Sequence, residues 1–490
     1  MSASKRLLNL QRMKGMLRAW TGAVAAALLQ IAALLGTVPA AQATPVGEVE
    51  FSRGVAAAQQ PGQPARVLGS GATIERGDVM TTGANSVAVI KLGDGTKMTL
   101  RPNTSMSIDE FAFDQPGASD SLVMNLLKGG MRVVTGLITK RSSAAGRLTT
   151  STATVGIRGT DFDARICGED CRAENRRPLT PLAQASAQTV VPASARVLQV
   201  QGGLTAIGEN GERRLVAVGG PAYKGDTLET PPGGQAVLVF RDDTRVTVQG
   251  GTRVRINEFA YDANSPGEGS FALGLLKGGI RAFTGLIGRA RPAAVRFSTA
   301  TATVGIRGTG IDLVCEGACA GEPAAAPGSG FVIYTWQGEA TVSSPTAPLE
   351  VLIVPVGTAA QVGGDNRPIL LQNVPSNVIN NPAPRPDTLQ INLQQLFGGT
   401  TQTAPADGLY LYVRDGHLAV ASGGQSLDIG RGETLFAGFG GVPPVRLTAP
   451  PAFIQGDTTP RPDRVDSSSV RKIDLVTLGL RARANLSCTR

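Results

Sequence analysis

Few side chains in this chain of 490 residues have the types and spacing that catalysis requires. His417 is its one histidine, so a Ser-His or Cys-His nucleophile pair cannot be built in each half of the chain. Asp109 and Glu110 are adjacent carboxylates, the residue type that forms acid–base pairs. A related segment downstream reads Asn257-Glu258 at the matching point, where such a pair would be lost. We therefore expect a protein that is not an enzyme and that needs no cofactor or metal ion.

Two pairs of cysteines form the second group of chemically interesting residues. In the pairs Cys167/Cys171 and Cys315/Cys319 the thiols are four residues apart in turn-prone sequence, and an oxidising compartment would join each pair as a disulfide. The alternative is a zinc site of four thiolates, to which this spacing is a loose match. We predict the disulfides, each closing a very small loop at a hairpin tip. Cys488 is left over and would be free or pair between chains.

These features recur because a long segment of the sequence is duplicated. Thr-Ala-Thr-Val-Gly-Ile-Arg-Gly-Thr occurs at 152–160 and again at 301–309. Leu-Leu-Lys-Gly-Gly occurs at 126–130 and again at 275–279. Solenoid repeats have periods of roughly 20–50 residues, so this much longer period indicates two tandem globular domains. A functional hypothesis must therefore suit a unit that is used twice.

The duplicated Gly-Ile-Arg-Gly-Thr block is the candidate interaction or fold motif. Its arginines could each present a guanidinium to a partner carboxylate. Alternatively, each arginine is bound inside its own domain, by Asp109/Glu110 or by Glu258, and the block is a shared requirement of the fold. The block lacks the Lys-Ser/Thr end of a phosphate loop. Its members are Gly156, Arg158, Gly159 and Thr160 in the first copy and Gly305, Arg307, Gly308 and Thr309 in the second.

Composition and charge narrow the classes of partner. The 62 glycines and 31 prolines follow no collagen period and favour tight turns between short strands. The net charge is +9, but residues 1–43 hold several basic residues and no acidic one, and both signs are mixed in the remainder. No long basic run marks a nucleic-acid face, and only 4% of the residues are aromatic. We predict no nucleic-acid partner.

The N-terminus has the pattern of an export signal. A basic stretch is followed by an apolar stretch at 23–38 and then by small residues at Ala41 and Ala43. This order predicts a signal peptide that is cleaved after Ala43; the alternative is an uncleaved signal anchor. No later stretch is long and apolar enough to span a bilayer. We therefore expect a periplasmic or secreted protein with no integral membrane segment after cleavage.

The remaining pattern is that of an all-β chain. Alternating residues at 86–92 and 97–100 flank Gly93-Asp94-Gly95, a strong hairpin signal, and further hairpins are predicted at 128–130, 337–338 and 415–416. We predict two tandem homologous β-sandwich or β-roll domains followed by a small β-unit. The expected divisions are a signal peptide (1–43), a first domain (44–172), a linker (173–195), a second domain with a trailing hairpin (196–372), a Pro/Asn-rich linker with a short helix near 389–397 (373–406), the β-unit (407–450) and a loosely ordered tail (451–490).

The order of these motifs resembles the FecR domain of bacterial extracytoplasmic proteins. The resemblance covers about 46–171 and 196–319, and Val-Gly-Ile-Arg-Gly-Thr is its most specific part. It implies an exported protein-binding domain and supplies no catalytic residues. The founding members of that family are inner-membrane regulators; their periplasmic part senses an outer-membrane transporter, and their cytoplasmic part controls a sigma factor. We expect this chain to lack the cytoplasmic part.

Two functions follow as hypotheses. The first is an exported binding or scaffold protein of the bacterial cell envelope that contacts another envelope protein or a glycan, with duplication providing avidity. The second is a periplasmic sensor or regulator in a signalling chain that controls a sigma factor or an iron-uptake system. A cleaved signal peptide favours the first hypothesis, and a retained anchor favours the second.

Overall fold

The computed structural model describes residues 45–113, 119–142, 144–176, 192–322, 330–363, 365–402 and 404–465, and of Arg307 it describes the backbone. The predicted signal peptide with its cleavage point after Ala43 lies outside these residues. So do most of the linker predicted at 173–195, the tail from 466 onward and Cys488. In the ranges given above, no helix is long and apolar enough to cross a membrane.

Among its described residues, the first repeat forms twelve strands and two short helices. In chain order these are β1 (Pro45–Arg53), β2 (Ala56–Gln59), β3 (Arg66–Val67), β4 (Thr73–Glu75), β5 (Val79–Thr82), β6 (Val87–Leu92), β7 (Lys97–Leu100), β8 (Ser105–Ala112), β9 (Ser121–Lys128), β10 (Gly130–Val134), α1 (Leu137–Arg141), β11 (Gly146–Thr149), β12 (Thr154–Cys167) and α2 (Glu169–Asn175).

The second repeat follows the same plan and continues further. Its elements are β13 (Ala195–Gln201), β14 (Thr205–Ile207), β15 (Arg213–Leu215), β16 (Pro221–Ala222), β17 (Thr227–Glu229), β18 (Gln235–Phe240), β19 (Arg245–Val248), β20 (Arg253–Ala260), β21 (Ser270–Phe283), α3 (Leu286–Ala290), β22 (Val295–Ser298), β23 (Thr303–Cys315), β24 (Phe331–Ser344), β25 (Ala347–Pro355), β26 (Ala359–Val362), β27 (Pro368–Leu370) and α4 (Ser376–Ile379).

The C-terminal part adds two helices and four strands, namely α5 (Leu393–Phe397), β28 (Gly408–Ser422), β29 (Gln425–Gly430), β30 (Thr434–Gly438), β31 (Val445–Leu447) and α6 (Ala452–Gln455). Single 3₁₀ turns occur at Pro266–Glu268, Pro292–Ala294, Gly317–Ala320, Pro386–Thr388 and Pro462–Arg464. The chain is all-β, as the alternating pattern predicts. The short helix expected near 389–397 begins only at Leu393, where the side chain of Asn392 caps it by accepting a hydrogen bond from the backbone N–H of Gln395.

The hairpin predicted around Gly93-Asp94-Gly95 is present. Strands β6 and β7 pair antiparallel, with Ile90 opposite Met98. Gly95 supplies the positive φ that the turn needs, at 86°. The carboxylate of Asp94 accepts hydrogen bonds from the backbone N–H and the hydroxyl of Thr96, each 2.9 Å long. The second repeat forms the same hairpin from β18 and β19.

The strands form two sheets, and the C-terminal strands belong to the first. In the part of the chain that the structure describes, the first sheet has 16 strands, β1–β12 and β28–β31, and the second has 15, β13–β27. Strand β28 pairs antiparallel with β12 along almost its whole length, just as β24 pairs with β23 in the second sheet. The separate small β-unit predicted at 407–450 is therefore wrong. A local hydrophobic pattern identifies a strand but not its partner, and here the partner precedes the whole second sheet in the chain.

The other three predicted hairpins are also wrong. Around Gly129 the chain passes from β9, which pairs with β8, to β10, which pairs with β7 and β12. The matching residues of the second repeat lie inside one long strand, β21. Gly338 and Gly416 lie inside β24 and β28 with φ of 72° and 77°. A glycine with positive φ serves an irregularity within a strand as readily as a tight turn, so the sequence signal is ambiguous.

Each sheet surrounds one apolar core. The first core includes Leu411 and Leu418 of β28 and extends to Leu435 of β30, all fully buried. The second core includes Ile333 and Val342 of β24. Burying one such side chain contributes roughly 1.5–3 kcal/mol, so β28 is a major part of the first core.

The loosely ordered tail predicted at 451–490 is wrong for its first part. Phe453 and Ile454 of α6 are buried in a small cluster with Cys167, Cys171 and Tyr410. Helix α6 therefore packs onto the end of the first sheet that carries the cysteine pair.

Candidate protein-interaction surfaces

The Gly-Ile-Arg-Gly-Thr block lies in β12 and β23, the strands that the C-terminal strands cover. The pairing of β12 with β28 shifts register between Arg158 and Asp161. Gly159 has φ of 58°, and its counterpart Gly308 has φ of 61°. These two glycines adopt a left-handed conformation that other residues rarely adopt, which explains why glycine occupies both positions. Gly156 is not among the residues with positive φ, and a Cβ there would contact Ala419 at an ordinary distance of 3.7 Å.

Both threonines of the block connect the strands around them. Thr160 donates its hydroxyl to the carbonyl of His417 at 2.8 Å, and its N–H donates to the hydroxyl of Thr135 at 2.8 Å. Thr309 likewise donates its hydroxyl to the carbonyl of Glu339 at 2.9 Å. His417 and Glu339 therefore occupy equivalent positions in β28 and β24. The same clamp in both sheets supports a fold role for the threonines.

Arg158 contacts residues from the C-terminal part of the chain. Its Nη1 lies 3.0 Å from Nε2 of His417 and 3.6 Å from Oδ1 of Asp428. The carboxylates predicted as its partners bind other groups: Asp109 accepts from Ser107 and Glu110 from Ser121. For Arg158 that prediction is wrong because the first sheet takes its covering strands from beyond the second sheet. The side chain of Arg307, whose predicted partner was Glu258, lies outside the described residues.

His417 is buried beside this arginine. Only 3% of its surface is exposed, and burial lowers its pKa below the ordinary value, an effect that the neighbouring Asp428 only partly offsets. The guanidinium of Arg158 has no acceptor, so Nε2 of His417 must accept its hydrogen bond and the ring is neutral. Arg158 and Gly159 also line a cavity of about 150 Å³ together with Arg213 and Asp415. The single histidine thus joins β28 to the duplicated block of β12 within the first sheet.

A buried ion pair fixes the second sheet against the C-terminal strands of the first. Arg196 is fully buried and donates through Nη2 to both carboxylate oxygens of Glu433, at 2.6 Å to Oε1 and 2.5 Å to Oε2. Its Nη1 donates to the carbonyl of Gly219 at 2.7 Å. Burial opposes the ionisation of Glu433, but Arg196 and Arg446 outweigh it and hold the pKa of Glu433 below its ordinary value. None of these contacts was foreseen, because no sequence pattern joins residues so distant in the chain.

Strand β29 of the first sheet is packed against the second sheet. Gly430 lies so close to Pro221 and Tyr223 that a side chain there would collide with both. Gly219 approaches Asp428 in the same way. Strand β29 pairs with β28 alone among the strands the structure describes, and the second sheet covers it.

Strand β25 is the counterpart of β29 and is open. The partner of Glu339 on β25 is Pro355, and the partner of the equivalent His417 on β29 is Gly430. In the described ranges β25 pairs with β24 alone. The side chains of Leu349, Val351 and Ile353 are 94%, 55% and 51% exposed, and the nearby Val356, Ile369 and Leu370 are also exposed. We call these six residues the β25 patch. The sequence feature that corresponds to this patch is the mainly apolar run at 347–356.

The cysteine pairs sit at equivalent places after β12 and β23. The sulfur atoms of Cys167 and Cys171 are 2.11 Å apart, and those of Cys315 and Cys319 are 1.98 Å apart, both at disulfide distance. Each pair spans the start of a helical turn and not the predicted hairpin tip. Among the residues that the structure describes, no group of three or more His, Cys, Asp or Glu side chains is arranged to hold a metal ion.

Comparison with known proteins gives a family match. Residues 78–175 and 226–344 match the sequence model of the family described as FecR protein. Among curated proteins, no sequence matches. Two crystal structures of a candidate anti-sigma factor from Parabacteroides distasonis are similar at 14% identity, with TM-scores of 0.24 and 0.23. Each match covers 31% of this chain and 61% of that protein's chain.

Proposed function

The chain is a FecR-domain protein with two tandem FecR segments, and from that premise we propose that it is an exported, non-enzymatic binding or scaffold protein of the bacterial cell envelope. Its partner in this proposal is another envelope protein, which it binds through the β25 patch. The observation that carries the proposal is the contrast between β29, which the second sheet covers, and β25, which presents apolar side chains to solvent.

An open strand edge with exposed apolar side chains suits protein recognition. An unpaired edge offers N–H and C=O groups to an added strand, and the alternate side chains contribute selectivity. Monomeric proteins rarely expose contiguous apolar patches of more than a few hundred Å² unless the patch binds something. Leu349, Val351 and Ile353 are every second residue along β25 and are exposed, whereas Val354, near the end of the strand, faces the core. A protein strand is thus a better match to this edge than a glycan.

The inventory of reactive groups supports a role without turnover. His417 is buried and bound to Arg158, where it has no open position for a substrate. Asp109 and Glu110 bind a serine hydroxyl each, and the second repeat has Asn257 in place of the first of them. Export rests on the sequence of residues 1–43, and N-terminal sequencing of the envelope fraction should begin at Thr44.

Site-specific cross-linking tests the partner site. A photo-reactive phenylalanine analogue at Val351 should capture one envelope protein, whereas the same probe at Val67, an apolar residue of the first sheet that is 77% exposed, should not. The captured protein, once purified, should bind the full chain and lose at least about tenfold in affinity to the Ile353→Glu variant. Equal affinity for that variant, with an unchanged melting temperature, would remove the β25 patch from the proposal.

The sensor hypothesis has the FecR family match as its specific support. In that role the chain would respond to a transporter and control a sigma factor or an iron-uptake system. Deleting the gene should then change transcription of sigma-factor-dependent genes. Under the binding or scaffold proposal, transcription stays as in the parent strain.

A further inference from the structure

Two short segments of the chain share a sequence and a conformation. Ala-Pro-Arg-Pro-Asp at 383–387 lies after the second sheet, and Thr-Pro-Arg-Pro-Asp at 459–463 lies after the first. We call them the second strap and the first strap. Both are extended at their arginine, with φ, ψ of −75°, 117° at Arg385 and −74°, 127° at Arg461. Both then form a 3₁₀ turn whose proline, Pro386 or Pro462, is buried.

Each strap is bound by its own sheet, and the side chains that bind it are at equivalent positions in the two sheets. Arg281 donates to the carbonyl of Ala383 at 2.6 Å, and its counterpart Arg132 donates to the carbonyl of Thr459 at 3.0 Å. Each bond reaches the residue before the first proline of the strap. The equivalence holds although the two straps are in different parts of the chain.

Two further contacts repeat in the same way. Thr247 donates its hydroxyl to the carbonyl of Pro384, and Thr99 donates to the carbonyl of Pro460, both at 2.9 Å. Arg245 reaches the carbonyl of Leu389 at 2.7 Å, and Lys97 reaches that of Val465 at 3.3 Å. Within the straps and the residues just after them, these six side chains bind main-chain carbonyls. Arg132 also donates through Nη2 to the carboxylate of Asp457, which lies just before the first strap, at 3.1 Å.

The central arginine of each set is held in place by the sheet. Nε of Arg132 donates to Asp163 and Nε of Arg281 donates to Asp312, each at 2.7 Å between buried side chains. Each arginine stands opposite its aspartate in the register of the sheet, and opposite Thr99 or Thr247 on its other side. The donors are therefore positioned by the sheet itself and not by the strap.

A surface that offers hydrogen-bond donors to the main chain of its ligand suits a proline-containing segment. Proline has no N–H, and an extended Pro-x-Pro segment presents its carbonyls outward with no internal hydrogen bonds. The arginine between the prolines finds a different group in each groove. Arg385 lies over the ring of Trp336, 3.9 Å from the centroid, whereas Nη2 of Arg461 lies 3.1 Å from Oδ2 of Asp161.

We propose that each of these grooves is a peptide-binding site for an extended Xaa-Pro-Arg-Pro-Asp segment, and that the straps are resident ligands which such a segment of a partner protein replaces. This inference is independent of the β25 patch and adds a second class of contact to the chain. Apart from its buried proline, a strap is attached mainly through side-chain donors and adds no strand to either sheet. A peptide of the same sequence offers the same carbonyls.

The test uses the full chain and a fluorescent peptide with the sequence of residues 457–465. In the Arg461→Ala/Pro462→Ala variant the first strap loses its pocket residue and its Asp161 contact. Fluorescence anisotropy should show that this variant binds the peptide at least about tenfold more tightly than the wild type, whose strap competes at an effective concentration in the millimolar range. Adding Thr99→Val to this double variant should weaken peptide binding again. A control peptide in which alanine replaces the arginine should bind weakly to the wild type and to both variants.

Circular dichroism confirms that each variant is folded before binding is measured. No binding of the peptide up to about 1 mM by a folded strap variant would overturn the proposal and leave the straps as structural ties. If the variant does not fold, the wild type is used with a peptide that carries a photo-reactive group in place of its last residue, the counterpart of Val465. Cross-links to the segment around Lys97 support replacement of the strap, and their absence at the same peptide concentration overturns it. Loss of the partner at the β25 patch would leave both results unchanged.

Discussion

The first and second sheets have the same construction but reach it by different chain paths. In the second sheet, β23 is followed along the chain by β24, which covers it. In the first sheet, the whole second sheet stands between β12 and its covering strand β28. Each repeat therefore needs more than the duplicated segment: it also needs a covering strand, β28 for the first sheet and β24 for the second. The second repeat is thus inserted in the chain between β12 and β28 of the first. The strand pairings of the two sheets correspond, although the order of the strands along the chain differs.

The same comparison explains where the molecule is open. The second sheet packs on β29 of the first through Pro221, Tyr223 and Arg196, whose Nη1 donates to the carbonyl of Asp428 at 3.3 Å. The equivalent strand β25 has no such cover in the described residues. One copy of the repeat thus uses its edge within the molecule, and the other copy has it available. This difference, more than the duplicated motif, locates the proposed partner site.

The largest expected effect comes from ending the chain after Gln402. This truncation removes β28–β31 and strips the first core of Leu411 and Leu418, whereas β13–β27 and the second strap are retained. We expect the first sheet to lose its protection against hydrogen exchange and the second sheet to keep it. Full protection of β12 in the truncated chain would show that the first repeat does not depend on its C-terminal strands.

Breaking the buried ion pair between the sheets should have the next largest effect. Glu433→Gln leaves Arg196 fully buried without its counter-charge and should lower the free energy of unfolding by about 3–5 kcal/mol. Its control is Glu322→Gln, because the pair of Lys277 with Glu322 is about half exposed and should contribute less than about 1 kcal/mol. Urea denaturation measures both variants, and equal losses would contradict the difference in burial.

A buried carboxylate of the first sheet should make stability depend on pH. Burial raises the pKa of Asp161 from 3.8 to about 6, although Arg414 and Arg461 oppose the shift. The native state therefore takes up a proton between these pH values that the unfolded chain does not, and the free energy of unfolding falls as the pH rises from about 4 to about 6. This decrease is at most of the order of 3 kcal/mol.

Asp161→Asn should remove this part of the pH dependence. The second sheet has Gly310 at the matching position, so its own unfolding should lack the same contribution. Urea titrations of wild type and variant at several pH values between 4 and 6 measure it. Parallel pH profiles for the two proteins would show that Asp161 has an ordinary pKa.

The smallest effect is expected at the duplicated glycines. Gly159→Ala and Gly308→Ala place a side chain at φ of 58° and 61° and should each cost about 1 kcal/mol. Gly156→Ala is the control, because a Cβ there meets Ala419 at an ordinary 3.7 Å. In thermal unfolding, Gly156→Ala should lower the melting temperature least of the three variants. A larger decrease for Gly156→Ala than for the other two would show that positive φ is not what requires glycine in this block.

The sequence predicts well what depends on nearby residues. The β6–β7 hairpin, the short helix ending at Phe397 and the duplication of the fold follow from alternation, turn residues and direct repetition. The positive φ of Gly159 also follows from its residue type. These features are set by a few consecutive residues, and the chain path does not affect them.

Contacts between distant parts of the chain are not encoded in this way. Nothing near Arg158 indicates His417, and nothing near Arg196 indicates Glu433. The segment at 330–343 is similar in sequence to the segment that begins at Gly408, but this similarity does not indicate which strand each segment covers. The repeated Pro-Arg-Pro-Asp of the two straps is a sequence signal for a shared binding groove, and it lies in segments predicted as a linker (373–406) and as a loosely ordered tail (451–490).

A cross-strand cysteine pair tests the insertion of the second sheet into the first most directly. A Cβ on Gly156 would lie 3.7 Å from that of Ala419, within the range that disulfides require. The double variant Gly156→Cys/Ala419→Cys should therefore oxidise to a disulfide that mass mapping of a non-reduced digest detects. The mismatched pair Gly156→Cys/Thr341→Cys, which joins β12 to the covering strand of the wrong sheet, should stay reduced. Two alkylatable thiols at 156 and 419 in folded protein would contradict the account.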